Sequence, residues 1–455
     1  AIIPQNLCAA PPVGCIVCVT NTAMSETVTD AEHFTNAVAK LGEKRQLVTS
    51  TAIYSANGVK IIDKGVPVTA KLYERLVQHK TSTPLEQSME VESAVNGRAL
   101  RATAEELIAE QPLFARMTAK PADRALLLDL IETLPLPAPV AFQLTVARDV
   151  HPDQYRYFVA AALTAAWLGQ RTLVPRYDLS MLAAAGLLHD LGMLHIDPVL
   201  LDPKQTISRG QRRQLYSHPL VSALLLERHH EYPKELIRAV REHHEVLDGS
   251  GYPAGLAGAS ISPWGRILSL AQVVAALAKA GRKHAELRLS VLLRTSRHRY
   301  DSALVNRLLP LLERSAEQTA EADPADVTVA DPVARLTAID AALSGWPAAL
   351  AQSAQLSQAR RQGLTYIGER CADIRRTLVE TGASPEQLVS LDEDAATGLL
   401  AVELSLICHE LAWQVRAMQR QALRRWALGP DENFPEPLQT WLAAVDAACA
   451  DLIET

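Results

Sequence analysis

EHHEVLDGSGYPAGLAG, residues 242–258, decides how this chain is read. Two adjacent histidines and an acid precede a glycine-rich run around a lone Tyr-Pro, which cannot continue a helix. Working outward, seven of the 13 histidines fall between positions 189 and 244. His189-Asp190 ends the apolar run MLAAAGLLHD (181–190), His218-Pro219 opens a helix, and His243-His244 closes another. Imidazole nitrogen and carboxylate oxygen together suit Fe, Mn or Zn far better than Mg or Ca. Neighbouring side chains on a helix diverge by about 100°. An adjacent pair therefore serves two ions more readily than one, and an aspartate can bridge them. Two metals about 3.5–4 Å apart are what phosphodiester hydrolysis uses. The glycine turn would let the backbone and Tyr252 approach a ligand closely. His195, His229 and His230 are read as structural, since no such turn follows the second HHE at 229–231.

With 455 residues the chain exceeds one ordinary core, and two or three domains are expected. Hydrophobic residues at 48% and charged residues at 21% describe a globular chain, and the scarcity of aromatics (5%) favours helix. A net charge of −6 gives no global attraction for nucleic acid or an anionic membrane. Six cysteines without a regular framework indicate reduced thiols, and the lone Cys15-Ile-Val-Cys18 pair specifies little. Residues 1–25 lack charge, including the basic start of a secretory signal, and their prolines make a poor span. Residues 1–23 are read as a non-native extension before Met24, and the protein as cytoplasmic, with no membrane span.

Asn57-Gly58 between two β-branched runs signals a hairpin, and a helix is expected at TAKLYERLVQHK (69–80). Residues 24–134 are thus expected to form a small α+β sensory or docking module. LPLPAP (134–139) marks a break. Residues 140–315 are expected to be a helical metal-site domain. Residues 316–332, with five acids and no base, read as a linker, and 333–455 as a C-terminal helical domain. There Leu399, Val402, Leu406 and Trp413 share one helical face, followed by Arg416, Arg420, Arg424 and Arg425.

HDLG (189–192), IDPVLL (196–201), SHP (217–219), HHEVLDGSGYPAGLAG (243–258) and ISPWGRI (261–267) together resemble the HD-GYP family, a bacterial subgroup of the HD phosphohydrolase superfamily. The resemblance covers residues 150–310. It implies an all-helical core and a metal-dependent phosphodiesterase that hydrolyses cyclic di-GMP to pGpG or GMP with two or three Fe or Mn ions. Carried over by position, it makes His189, Asp190, His218, His243, His244, Asp153 and Gln272 the metal ligands. His189 and Asp190 would be catalytic. Gly251, Tyr252, Pro253 and Arg266 would contact substrate, with Arg212 and Arg213 as further sources of positive charge. The glycine-tyrosine-proline turn would also be where a signalling protein docks, and a homodimer is a candidate assembly.

Four positions depart from the family. Met193 stands where a phosphate-facing lysine is usual. Gln272 replaces a carboxylate ligand. Asp149 and Asp153 occupy the places of a glutamate and a histidine, and both face one way only if the helix carrying Arg156 reaches back past Pro152; His151 is the alternative. These changes support a second reading, a catalytically degenerate protein that senses a dinucleotide or binds a partner.

Overall fold

The computed structural model describes residues 32–68, 72, 81–172, 175–201, 208–276, 284–312, 331–353, 356, 358–388, 399–425, 434–450 and 452. The expected extension at 1–23, the Cys15/Cys18 pair, most of the 69–80 helix and the linker up to residue 330 lie outside these residues. So do the side chains of Leu399, Arg424 and Arg425. The chain divides into two compact units, one comprising 1–283 with 299–304, the other 284–298 with 305–455. The first unit spans the break expected at 134–139. No helix among the described residues is long and apolar enough to cross a membrane.

The fold is mainly helical. The first unit begins with the helix Glu32–Lys44 and two small antiparallel ribbons. Leu47–Thr49 pairs with Met89–Val91 in the register Leu47↔Val91, and Ile53–Tyr54 pairs with Lys60–Ile62. The second ribbon is the hairpin signalled by Asn57-Gly58: Gly58 N–H donates to Ser55 O at 2.9 Å, and its φ of 78° requires glycine.

The site is built on the helices that follow. Pro152–Gln170 packs along Arg176–Leu188 and Pro263–Ala275. It is buried on nearly every side from Tyr155 to Gly169, so its all-round apolar pattern is that of a core helix. Both helices are rich in buried alanine (160–162, 165 and 166 on one, 183–185 on the other), and their backbones come close. Gly186 sets the limit: a Cβ there would lie 2.7 Å from Ala161 O and 2.8 Å from Ala162 Cα. That approach positions His189, three residues on, against the facing helix.

Proline also decides where this helix starts. Pro152 is its first residue, and Asp149 belongs to the preceding helix, Ala138–Val150. The condition for Asp149 and Asp153 to share one helical face, a helix that reaches back past Pro152, is therefore not met. Asp149 instead pairs with Arg45 and Arg148 at 2.8 and 2.7 Å.

The second unit has its own core. Leu336, Ile339, Ile367, Ile374, Val402 and Trp441 are among its buried residues. Trp441 packs edge-on against Trp346 at 4.8 Å and donates its indole N–H to Ala342 O. Val402, Leu406 and Trp413 are buried, as their spacing predicts.

Candidate metal centre

Three histidines sit just past the ends of three helices, and each uses its position in the same way. Helix C-termini leave main-chain carbonyls without intrahelical donors. His189 Nδ1 reaches Gly186 O at 2.8 Å, His218 Nδ1 reaches Leu215 O at 2.7 Å, and His243 Nδ1 reaches Val240 O at 2.6 Å. A carbonyl only accepts, so each Nδ1 carries the proton and each Nε2 keeps its lone pair. All three rings are buried. Second-sphere bonding of this type fixes metal-ligating imidazoles.

The lone pairs of His218 and His243 converge on Asp190. Their Nε2 atoms are 3.3 Å apart and lie 3.1 and 3.3 Å from Asp190 Oδ1. That oxygen is buried and receives no hydrogen bond. Three electron-rich atoms packed this closely, with no proton among them, repel one another unless a cation lies between. Bonds of about 2.1 Å at octahedral or tetrahedral angles would set ligand atoms about 3.0–3.4 Å apart. The donor set therefore fits a divalent transition metal. Adding His244 gives four residues whose ligand atoms all lie within 4.8 Å of one another. Burial lowers the affinity of the rings for a proton: His189 is pushed down to about 4, and His243 and His244 are also lowered, His244 well below its ordinary value. These three imidazoles are thus neutral near pH 7, as ligation requires. Burial alone would raise the Asp190 carboxyl; positive charge beside it, on protonated imidazoles or on an ion held by neutral ones, reverses this and holds it well below the usual carboxylate range.

The remaining expected ligands are placed differently. His189 is outside the four-residue group. Its Nε2 meets the hydroxyl of Tyr157 at 3.2 Å, a contact not read from the sequence, and lies 3.5 Å from Asp190 Oδ2. Gln272 turns its amide nitrogen to His243 O at 2.7 Å and to His244 Nδ1 at 3.1 Å. Asp153 is exposed in the first turn of its helix and is not brought to the cluster. Met193 is buried, 3% exposed.

Residues 102–304 match the HD domain family. Among curated relatives, the chain is 35% identical over 100 residues to 3'3'-cGAMP-specific phosphodiesterase 3 of Vibrio cholerae serotype O1, covering 22% of each chain. It is 29% identical over 135 residues to 3'3'-cGAMP-specific phosphodiesterase 1 of that organism, covering 29% of this chain and 31% of the relative. It is 30% identical over 182 residues to a cyclic di-GMP phosphodiesterase of the same organism, covering 37% and 36%. The HD match and these relatives support the resemblance to the HD-GYP family. It spans between 22% and 36% of the length of these three relatives. The HD match begins at 102, ahead of the start expected at 140.

The glycine-rich Tyr-Pro turn is organised by the third residue of HHE. Glu245, 1% exposed, accepts the main-chain N–H groups of Ala254, Gly255 and Leu256 at 2.7, 3.1 and 2.8 Å. Gly251 lies so close to the histidine segment that a Cβ would meet His244 O at 2.5 Å. Tyr252 is buried, its ring stacked between Tyr216 (4.2 Å) and His244 (4.5 Å), and the Tyr252–Pro253 bond is cis. Pro253 is half-buried. Arg266 is directed at the turn itself, donating to Gly258 O at 3.1 Å and facing Asp301 at 3.6 Å. Arg212 lies one turn before Tyr216 with its Nε shielded from solvent, and Arg213 is exposed.

Proposed function

We propose that the protein is a metal-dependent phosphodiesterase acting on a 3',5'-cyclic dinucleotide, with cyclic di-GMP its substrate. The observation that carries the reading is the convergence of Asp190 Oδ1 with the Nε2 atoms of His218 and His243 at 3.1–3.3 Å. A fold alone gains nothing from three mutually repelling buried acceptors, whereas a hydrolytic metal site needs them. Likeness to proteins named as cyclic di-GMP and 3'3'-cGAMP phosphodiesterases supports a dinucleotide substrate. Asp190, His218 and His243 would hold the metal, with His189 and His244 beside it. Bound there, a divalent ion such as Fe or Mn supplies Lewis acidity and a water acidic enough to lose its proton near neutral pH. The chain's own part is to orient those donors through the three helix-end carbonyls and, by burial, to keep His189, His243 and His244 neutral. The Glu245-held turn presses Tyr252 against His244, which fixes that ring's plane.

The second reading, a dinucleotide sensor without turnover, is favoured by two specific observations. Met193 is buried at the lysine position, and Arg266 is engaged by Gly258 O and Asp301. The test is to load the full chain anaerobically with Fe(II) or Mn(II) and incubate it with cyclic di-GMP and 3'3'-cGAMP. Release of the linear dinucleotide, lost in Asp190→Asn, is expected. Binding of either dinucleotide without product would replace the enzyme reading with the sensor.

A further inference from the structure

Two neutral hydrogen-bond donors stand at opposite sides of the histidine cluster, and each meets a ring nitrogen that a second metal ion would need. Tyr157 Oη lies 3.2 Å from His189 Nε2. His189 Nδ1 already gives its proton to Gly186 O, so Nε2 can only accept, and the phenol donates to it. On the other side, Gln272 Nε2 lies 2.7 Å from His243 O and 3.1 Å from His244 Nδ1. The His243 carbonyl fixes which end of the glutamine points there, because an amide oxygen at 2.7 Å would repel it. The same NH2 group therefore donates its second hydrogen to His244 Nδ1. In a neutral ring the proton of His244 then resides on Nε2. Neither nitrogen of His244 offers a lone pair: one is occupied by Gln272 and the other carries hydrogen. Proximity admits His244 to the cluster, and hydrogen bonding withdraws it.

We infer that this HD-GYP site is mononuclear, a two-histidine, one-carboxylate centre of Asp190, His218 and His243, with Tyr157 and Gln272 as positioning residues that cap His189 and His244. The inference rests on the metal-site reading above and departs from the count of two or three ions that the family resemblance implies. Both caps come from residues that differ in kind from a ligand. Tyr157 stands on the core helix one turn after Asp153, and Gln272 replaces a carboxylate. A carboxylate at 272 cannot donate. It would accept Nδ1–H from His244 and return the Nε2 lone pair to the site. Removing the phenol hydroxyl would likewise release Nε2 of His189. Asp190 Oδ2, 3.5 Å from that nitrogen, would complete a second position.

The experiment is a titration of the metal-free full chain with Mn(II), with free ion counted by EPR, alongside NMR of protein labelled with 15N-histidine. The wild-type chain is expected to bind one Mn(II) tightly and to show His244 protonated at Nε2. Tyr157→Phe combined with Gln272→Glu is expected to bind a second Mn(II) at least tenfold more tightly than wild type, with His244 switched to the Nδ1–H form. Gln272→Asn, which keeps the amide donor, should leave the count at one. Two tight ions in the wild type, or an Nδ1–H tautomer at His244 there, would overturn the inference whether or not any variant folds. An unchanged count in a folded double variant would overturn the capping roles. One tight ion without dinucleotide turnover would count against the enzyme reading alone. Two ions with turnover would count against this inference alone, and no tight ion would remove both.

Discussion

Leu256 N–H points into the carboxylate of Glu245 at 2.8 Å, across eleven residues of the glycine-rich turn. Together with the bonds from Ala254 and Gly255, it makes Glu245 the anchor of the whole loop. Burial raises the pKa of this carboxyl, and the three N–H groups oppose that rise by favouring the charged form. Glu245→Gln would set an NH2 group against at least one of these donors and remove the charge that strengthens the others. Hydrogen bonds to charged groups contribute about 1.5–3 kcal/mol. A loss of about 2–4 kcal/mol in unfolding free energy is expected by urea denaturation, with faster amide exchange at 254–256. Unchanged exchange there would deny Glu245 its anchoring role.

Gly251→Ala tests the loop from the other side. Its added methyl would meet His244 O at 2.5 Å and Glu245 Cα at 2.6 Å, both main-chain atoms with little freedom to yield. The turn must then lift from the histidine segment and break the stack of Tyr252 on His244. Stability should fall by about 2–3 kcal/mol, within the range of overpacking in a well-packed core. Mn(II) affinity should change much less than in Asp190→Asn, because Asp190, His218 and His243 lie on other contacts. Equal loss of metal in the two variants would contradict that separation.

Much of the site is legible in the sequence because it is local. HHE, the glycine turn and HDLG are short strings whose spacing survives without knowledge of the fold. The helix-end positions of His189, His218 and His243 are legible too, and a carbonyl three residues upstream of each is a signal that could have indicated their tautomers. Tyr157 is not legible in this way. Its contact with His189 spans 32 residues and depends on how closely two alanine-rich helices meet at Gly186. The hairpin at Asn57-Gly58 is readable from its turn chemistry. The separation of Asp149 from Asp153 is legible at Pro152, because proline suits a first helical position and restarts the register there.

Metal should stabilise the first unit by an amount that grows with the logarithm of its free concentration above the dissociation constant. An ion present at a hundred times its dissociation constant contributes about 2.7 kcal/mol, provided the unfolded chain does not bind it. Thermal unfolding of the wild-type chain is therefore expected to move upward with added Mn(II) and to return on chelation. In Asp190→Asn the response should vanish, since the amide supplies no charge to balance the ion. A midpoint that rises equally in both proteins would place the stabilising ion elsewhere.

His195 supplies a pH-dependent term outside the metal cluster. Its ring is buried, stacks on Phe34 at 4.5 Å, and has no hydrogen-bond partner at Nε2. Burial pushes its pKa from 6.5 down to about 4, with the charge of Arg228 adding to the shift. Between those values the unfolded chain holds a proton that the folded chain refuses. Stability from this residue is thus complete above pH 6.5, falls as the pH drops, and has been lost once the pH passes below about 4. The gap corresponds to about 3 kcal/mol as an upper bound. His195→Phe keeps a ring against Phe34 and removes the titration, while the buried histidines of the metal cluster remain in both proteins and cancel in the comparison. Relative to wild type, the variant should gain stability steadily from pH 7 to pH 4 in urea unfolding. A difference that stays flat across that range would show that His195 takes up its proton in the folded protein as readily as in the unfolded one.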